Sequence, residues 1–241
     1  MRVAVLSDIH GNIHALDAVL QGLAGESVDE LWCLGDVVGY GARPNECCAV
    51  VAERFAVSLA GNHDLLAREA ASDAGFAHDA ARSGAWTVGA LDERSRAFLR
   101  TLSPSAVRPG AQLFHGSPRN PAWDYVLSRE AMEDALALTT APLVLVGHSH
   151  VPFLFSSAGE LAFGPALAGA EADLGDLRWV LNPGSVGQPR DGDPRSSYLV
   201  LDLDARRAHF HRVAYDVEQT QREIREAGLP TTLATRLATG V

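Results

Sequence analysis

Five times in the first 150 residues an apolar run stops at Asp, Asn or His beside a glycine. Residues 3–6 run into Ser7-Asp8-Ile9-His10, residues 31–34 into Gly35-Asp36, and residues 55–59 into Gly61-Asn62-His63-Asp64. Residues 112–114 are followed by His115-Gly116, and residues 143–146 by Gly147-His148-Ser149-His150. Short apolar runs that are continuous rather than alternating mark strands buried on both faces. Helical patterns lie between the first three. Ile13, Leu16, Leu20 and Leu23 share one face over residues 13–23, and residues 45–54 follow Pro44, which suits a helix start. Strand, helix, strand, helix, strand calls for βαβ crossovers and a layered α/β fold. In such folds ligands bind beyond the carboxyl ends of the strands.

The remainder fits the same plan. Residues 64–100 are Ala-rich, with Leu, Phe and Trp at helical intervals, and predict two or three helices. Strands are expected at 179–181 and 198–203, a hairpin partner at 208–215, and a helix at 218–226. Residues 156–176, rich in Gly and Ala, read as a hairpin or an insertion. No internal repeat or low-complexity linker divides the chain, so residues 1–241 are expected to form one domain with two sheets.

The polar strand ends supply Asp8, His10, Asp36, Asn62, His115, His148 and His150: two carboxylates, one amide oxygen and four imidazoles. Oxygen and nitrogen donors without thiolate suit Mn²⁺, Fe, Zn²⁺ or Ni²⁺. Seven donors exceed one tetrahedral site, whereas two ions sharing a carboxylate would use them all. Asp8 and His10 are two apart, as are His148 and His150, and alternate positions of an extended chain face alike. A lone Asp or His would be read as structural; packing does not ask for four histidines beside glycines.

These stretches resemble the motif set of the calcineurin-like metallophosphoesterases, complete and in order over residues 1 to about 200. Gly35-Asp36-Val37-Val38-Gly39-Tyr40-Gly41 and Asn182-Pro183-Gly184-Ser185-Val186-Gly187 are similar to a branch of small bacterial members, the YfcE-type phosphodiesterases and diadenosine-tetraphosphatase-like proteins. The resemblance implies a four-layer αββα sandwich, two mixed β-sheets flanked by helices, with two divalent metal ions at its edge. Mn²⁺ leads the candidates, with Fe, Ni or Zn as alternatives. It implies a phosphatase or phosphodiesterase acting through a metal-bridging hydroxide on a small phosphate ester, a nucleotide among the options. Asp8, His10 and His150 would hold one ion, Asn62, His115 and His148 the other, and Asp36 both. His63 would assist the leaving group with Asp64 orienting it, and Asn62, His63 and Arg190 are the candidate substrate contacts.

Other residues have more than one reading. Asp64 could instead cap the following helix, Asn12 reads as a helix cap, and His14 as facing solvent. Arg190 could clamp a phosphate or pair with Asp191 or Asp193; Arg119 and Tyr125 are weaker candidates, and Trp123 and Tyr125 could stack on a base. His209 and His211 share a strand face away from these motifs. Cys33, Cys47 and Cys48 lack a disulfide framework and read as buried thiols.

A net charge of −10 argues against broad nucleic-acid or anionic-membrane binding. Neither a signal peptide nor an apolar run near the ~20 residues of a membrane span is evident, and a cytoplasmic protein is expected. Two alternatives stay open. One is a catalytically idle scaffold with the same fold, which predicts lost ligands; the other is a single-metal hydrolase of another bond, such as an amide. Nothing in the sequence speaks to oligomeric state.

Overall fold

The first strand, β1 (Arg2–Leu6), shows how the layers arise. Its side chains alternate between two cores: Val3 and Val5 point between the sheets, Ala4 and Leu6 toward helices. A strand buried on both faces has no polar alternation, which is why residues 3–6 read as a continuous apolar run.

In the computed structural model, which describes residues 1–69 and 77–241, β1 is followed by α1 (Ile13–Gly22), β2 (Glu30–Cys33), α2 (Pro44–Arg54) and β3 (Val57–Ser58). Three helices come next: α3 (Asn62–Glu69), α4 (His78–Ala90) and α5 (Glu93–Thr101). Part of the helical stretch expected at 64–100, residues 70–76, lies outside the described residues. Then come β4 (Ser105–Arg108), β5 (Ala111–Phe114), α6 (Arg129–Ala137), β6 (Leu143–Val146), β7 (Phe153–Ser156), β8 (Leu161–Phe163) and β9 (Glu171–Asp173). The chain continues through β10 (Trp179–Asn182), β11 (Ser196–Asp202), β12 (Arg207–Val213), α7 (Val217–Glu226) and α8 (Thr231–Thr235).

Two mixed six-stranded sheets result, in the orders β3-β2-β1-β11-β12-β9 and β4-β5-β6-β10-β7-β8. Between them Val3, Val5, Trp32 and Leu34 meet Leu113, Leu143, Leu145 and Leu181. On the outer face of the first sheet, α1 and α2 bury Leu16, Leu20, Cys47 and Val51 against Ala4, Leu6 and Cys33. On the outer face of the second, α6 buries Met132, Ala135 and Leu136 against Val144, Val146 and Phe155. This is the expected αββα layering. Among the described residues no helix is long and apolar enough to cross a membrane.

Some elements differ from the sequence reading. The strand expected at 55–59 shrinks to β3, with Leu59 bridging Ser103 instead. The 156–176 stretch contributes to both sheets: β8 pairs with β7, and β9 adds an edge strand beside β12. His14 does not face solvent freely; its Nε2 lies 3.2 Å from Glu223 on α7. Glu223 also accepts two 2.9 Å hydrogen bonds from Arg43, which ties α7 to the start of α2. Around that tie Ile224, Leu229, Leu233 and Leu237 pack against Tyr40 and Trp86, setting the C-terminal helices beside the loop after β2.

Candidate metal centre

β1 runs parallel to β2, and β5 parallel to β6, so each pair ends its strands together. The loops that follow bring Asp8, His10 and Asp36 from the first sheet to His115, His148 and His150 from the second, all at most 6% exposed. Asn62 joins them from the first turn of α3.

The paired ligands do not share a face of extended chain, contrary to the expectation from their i, i+2 spacing. Asp8, His10, Asp36, His148 and His150 are not extended; their φ angles are +53° to +64°. This left-handed region is sparsely used by non-glycine residues, and holding one there costs about 1–3 kcal/mol. Backbone hydrogen bonds between the loops impose it: Asp8 N to Gly35 O at 3.0 Å, His10 N to Asp36 O and Gly187 N to Asp8 O at 2.9 Å. The sharp turns send His148 and His150 to different partners. Donor atoms of Asp8, His10, Asp36 and His150 lie within 4.8 Å of one another, as do those of Asp36, His115 and His148. Asp36 belongs to both groups.

The ring tautomers follow from the outer contacts, because a carbonyl can only accept. Nδ1 of His10 donates to Val38 O (3.1 Å), that of His115 to Leu34 O (3.0 Å) and that of His150 to Gln188 O (2.6 Å). Each ring then turns the lone pair of Nε2 inward. His148 is reversed, with Nε2 donating to Trp123 O at 3.2 Å. Inside, lone pairs face lone pairs: His10 Nε2 is 3.1 Å from His150 Nε2, and His115 Nε2 is 3.2 Å from both His148 Nδ1 and Asn62 Oδ1. Oδ1 of Asp8 and Oδ2 of Asp36 are buried without a hydrogen-bond donor among the described residues. Such a set repels itself unless cations stand in the middle, and imidazoles anchored outward by carbonyls are the usual dress of metal-ligating histidines. The residues fit divalent metal.

Burial sets the electrostatics. It pushes the Asp8 and Asp36 carboxyls above the usual range, with neighbouring carboxylates adding to the effect, and pulls His10, His115 and His150 well below the usual imidazole range. Burial, seconded by the charge of Arg190, takes His148 to about 4 and His63 to about 3.

Asp64 serves the loops. Its carboxylate accepts from the backbone amides of Val37 (3.2 Å), Val38 (3.1 Å) and Gly61 (2.9 Å). The Gly61 contact is half of a capping box, and all three brace the segments that carry Asp36 and His63. His63 donates its own backbone N–H to Asp36 Oδ1 at 2.9 Å, and its ring lies 4.4 Å from that of Tyr40. Asn12 caps α1 by accepting from Ala15 N and also reaches Gly187 O. Arg119 is drawn away to Asp134, an exposed pair at 2.7 Å.

A cavity of about 320 Å³ opens over the cluster, lined among others by Asp36, Asn62, His63, His148, His150 and Arg190. Arg190 does not pair with Asp191 or Asp193, whose partners are Arg212 and Arg195. It donates to Gln188 Oε1 at 2.8 Å and lies over the Tyr40 ring. Tyr125, half exposed, stacks on His148 at 4.0 Å, and Trp123 completes that wall. Sequence reasoning missed Tyr40 and Arg236, which also line the cavity. Tyr40 stood inside a quoted motif; Arg236 stood in no motif.

Residues 1–206 match the model of the calcineurin-like phosphoesterase superfamily domain, and the chain belongs to that family of phosphoester hydrolases. A metallophosphoesterase from Sphaerobacter thermophilus superposes with a TM-score of 0.90 at 40% identity, covering 100% of this chain and 99% of that one. A hypothetical protein from Pyrococcus horikoshii OT3 shares the fold, with a TM-score of 0.78 at 22% identity over 100% and 98% of the two chains. An uncharacterised protein of Methanocaldococcus jannaschii is 34% identical over 245 residues, 99% of this chain and 98% of that one.

Proposed function

We propose that this protein hydrolyses phosphate monoesters or diesters at a pair of divalent cations that share Asp36. One observation carries the reading: two groups of inward-turned donors meet at a single carboxylate, and their lone pairs oppose one another at 3.1–3.2 Å. Asp8, His10 and His150 would hold one ion, and Asn62, His115 and His148 the other. The donor set accepts Mn²⁺, Fe, Ni²⁺ or Zn²⁺ with supply deciding among them, and the family resemblance makes Mn²⁺ the first candidate. When bound, the ions supply an activated water and neutralise charge on the phosphate oxygens. Because the ligands come from both sheets, residues 1–241 are best read as one working domain. The three free, buried cysteines favour a reducing compartment, the cytoplasm.

The chain's own groups do the rest. His63, at the cavity wall, donates to the leaving oxygen, and the negative charge of an arriving phosphate raises its pKa toward the working range. Asp64 keeps the Asp36 and His63 loops in register, and Arg190, on the same cavity, reaches anionic oxygens of the substrate. All the expected donors are present, which weighs against an idle scaffold.

The test is hydrolysis of p-nitrophenyl phosphate and bis-p-nitrophenyl phosphate with Mn²⁺, Ni²⁺ or Zn²⁺. Turnover should vanish with EDTA and return on adding metal. His63→Ala should lower kcat by about 10²–10⁴-fold without changing metal content. Full activity in His63→Ala would remove that residue from the chemistry, and no turnover with any metal would remove the enzyme reading.

A further inference from the structure

Arg236 follows α8, beyond the residues matched by the family model, yet it lines the same cavity as Arg190. A second cavity of about 860 Å³ shares Tyr40, Ala77, Ala80 and Arg236 with the first. Arg236 therefore stands where the space over the metal cluster passes into a groove between α4 and α8. Its Nε donates to Val241 O at 2.6 Å. Among the described residues neither of its Nη atoms meets an acceptor, and no Asp or Glu side chain pairs with it or with Arg190. Arg190 is held by neutral oxygens, Gln188 Oε1 and Tyr40 Oη. Asp79 on the groove wall is taken up by Thr232 and His78.

Two guanidinium groups on one cavity with no Asp or Glu partner among the described residues, in a chain carrying a net charge of −10, form an arrangement that an anion would complete. Burial, with the charge of Arg190 in second place, holds Arg236 below the usual guanidinium range, while Tyr40 and Asp79 act the other way. The scissile phosphate belongs at the cluster, where the Asp and His donors are. That leaves the arginine end of the cavity for a different group on the same molecule.

We propose that Arg236 and Arg190 together bind a second phosphate of the substrate, so that the preferred substrate carries two: one at the metal cluster and one between the arginines. The proposal rests on the hydrolase reading above and narrows it to a phosphoanhydride or a bisphosphate. Arg236 is then a specificity residue, reading substrate and leaving the chemistry to the cluster.

Non-hydrolysable probes separate binding from turnover. Calorimetric titration of Mn²⁺-loaded protein would compare methylphosphonate, methylenediphosphonate and propane-1,3-diphosphonate. The short diphosphonate mimics an anhydride and the longer one two separate esters, so the tighter binder names the source. At least one should bind about tenfold tighter than methylphosphonate. Arg236→Gln should lose that advantage while its methylphosphonate affinity stays within about twofold, and Arg236→Lys should recover part of it. An advantage that survives Arg236→Gln, or equal weakening of all three probes, overturns the proposal. Turnover of p-nitrophenyl phosphate by the same preparations keeps the two readings apart. An inactive wild type with the advantage intact sinks only the hydrolase reading, and an active one without it sinks only the second-phosphate site.

Discussion

At Gly61 a single hydrogen stands between backbone and the carboxylate that both donor groups share. A Cβ built there would fall 1.9 Å from Asp36 Oδ1 and 2.5 Å from its Cγ, and neither atom can retreat, since Asp36 is fully packed. Gly35 is constrained twice, by φ +110° and by Gly61 N lying 2.7 Å from the Cβ position. Gly61→Ala should leave a folded protein with reduced metal occupancy and a kcat/KM lower by about 10²-fold, since an ångström of misplacement costs that much. Metal analysis beside kinetics checks it, and normal occupancy would show that Asp36 has room to move. Asp64→Ala should act similarly though less severely, by unbracing Val37, Val38 and Gly61. At this scale the ligands were legible because donor type and neighbouring glycine are written in the sequence. The left-handed backbone at five of them was not, because it is imposed by hydrogen bonds from loops far away in the chain. Arg236 was illegible for the same reason: only the packing of α8 brings it to the cavity.

Between the elements, the tie from α7 to the start of α2 carries the clearest pH signature. Glu223 is held at about 2, first by its hydrogen bonds from Arg43, with Gln219 and His14 adding to the effect against the opposing cost of burial. A carboxyl lowered in the folded state contributes stability that is complete above its unfolded value, near 4.3, and lost as pH falls toward 2. Part of the acid unfolding of this protein should therefore fall in that window, and Glu223→Gln should remove it. At neutral pH the same substitution should cost about 1–3 kcal/mol, the worth of hydrogen bonds to a charged group, read as a lower Tm. An unchanged acid limb would contradict this. The buried strands β1, β2, β5, β6, β10 and β11 and the helices α1, α2 and α7 were readable from the sequence pattern, whereas β7, buried at all four positions, was not. α6 was not, since Met132, Ala135 and Leu136 are its only buried residues in a charged stretch. β4 and β9 lie at sheet edges, where packing leaves a weak pattern.

For the whole molecule, the Asp and His donors meet where the two sheets join at one edge, so their charge state should be felt in global stability. Asp8 and Asp36 are raised by burial: their contribution to metal-free stability is complete below about pH 4 and lost as pH rises through their folded values. The site histidines are lowered: theirs is complete above about pH 6.5 and lost as pH falls. Metal-free protein is thus penalised on both sides, while metal binding requires every one of these groups deprotonated. The rise in Tm on adding Mn²⁺ should be larger at pH 8 than at pH 5, and should reach the equivalent of about 2.7 kcal/mol at a hundredfold excess over Kd. Equal shifts at both pH values would place the metal elsewhere. Two cations sharing Asp36 can be counted by elemental analysis of Mn²⁺-reconstituted protein after gel filtration. Two ions per chain are expected in the wild type and at most one in Asp36→Ala, which should be inactive. One ion per chain in the wild type, or two retained with activity in Asp36→Ala, would contradict that sharing.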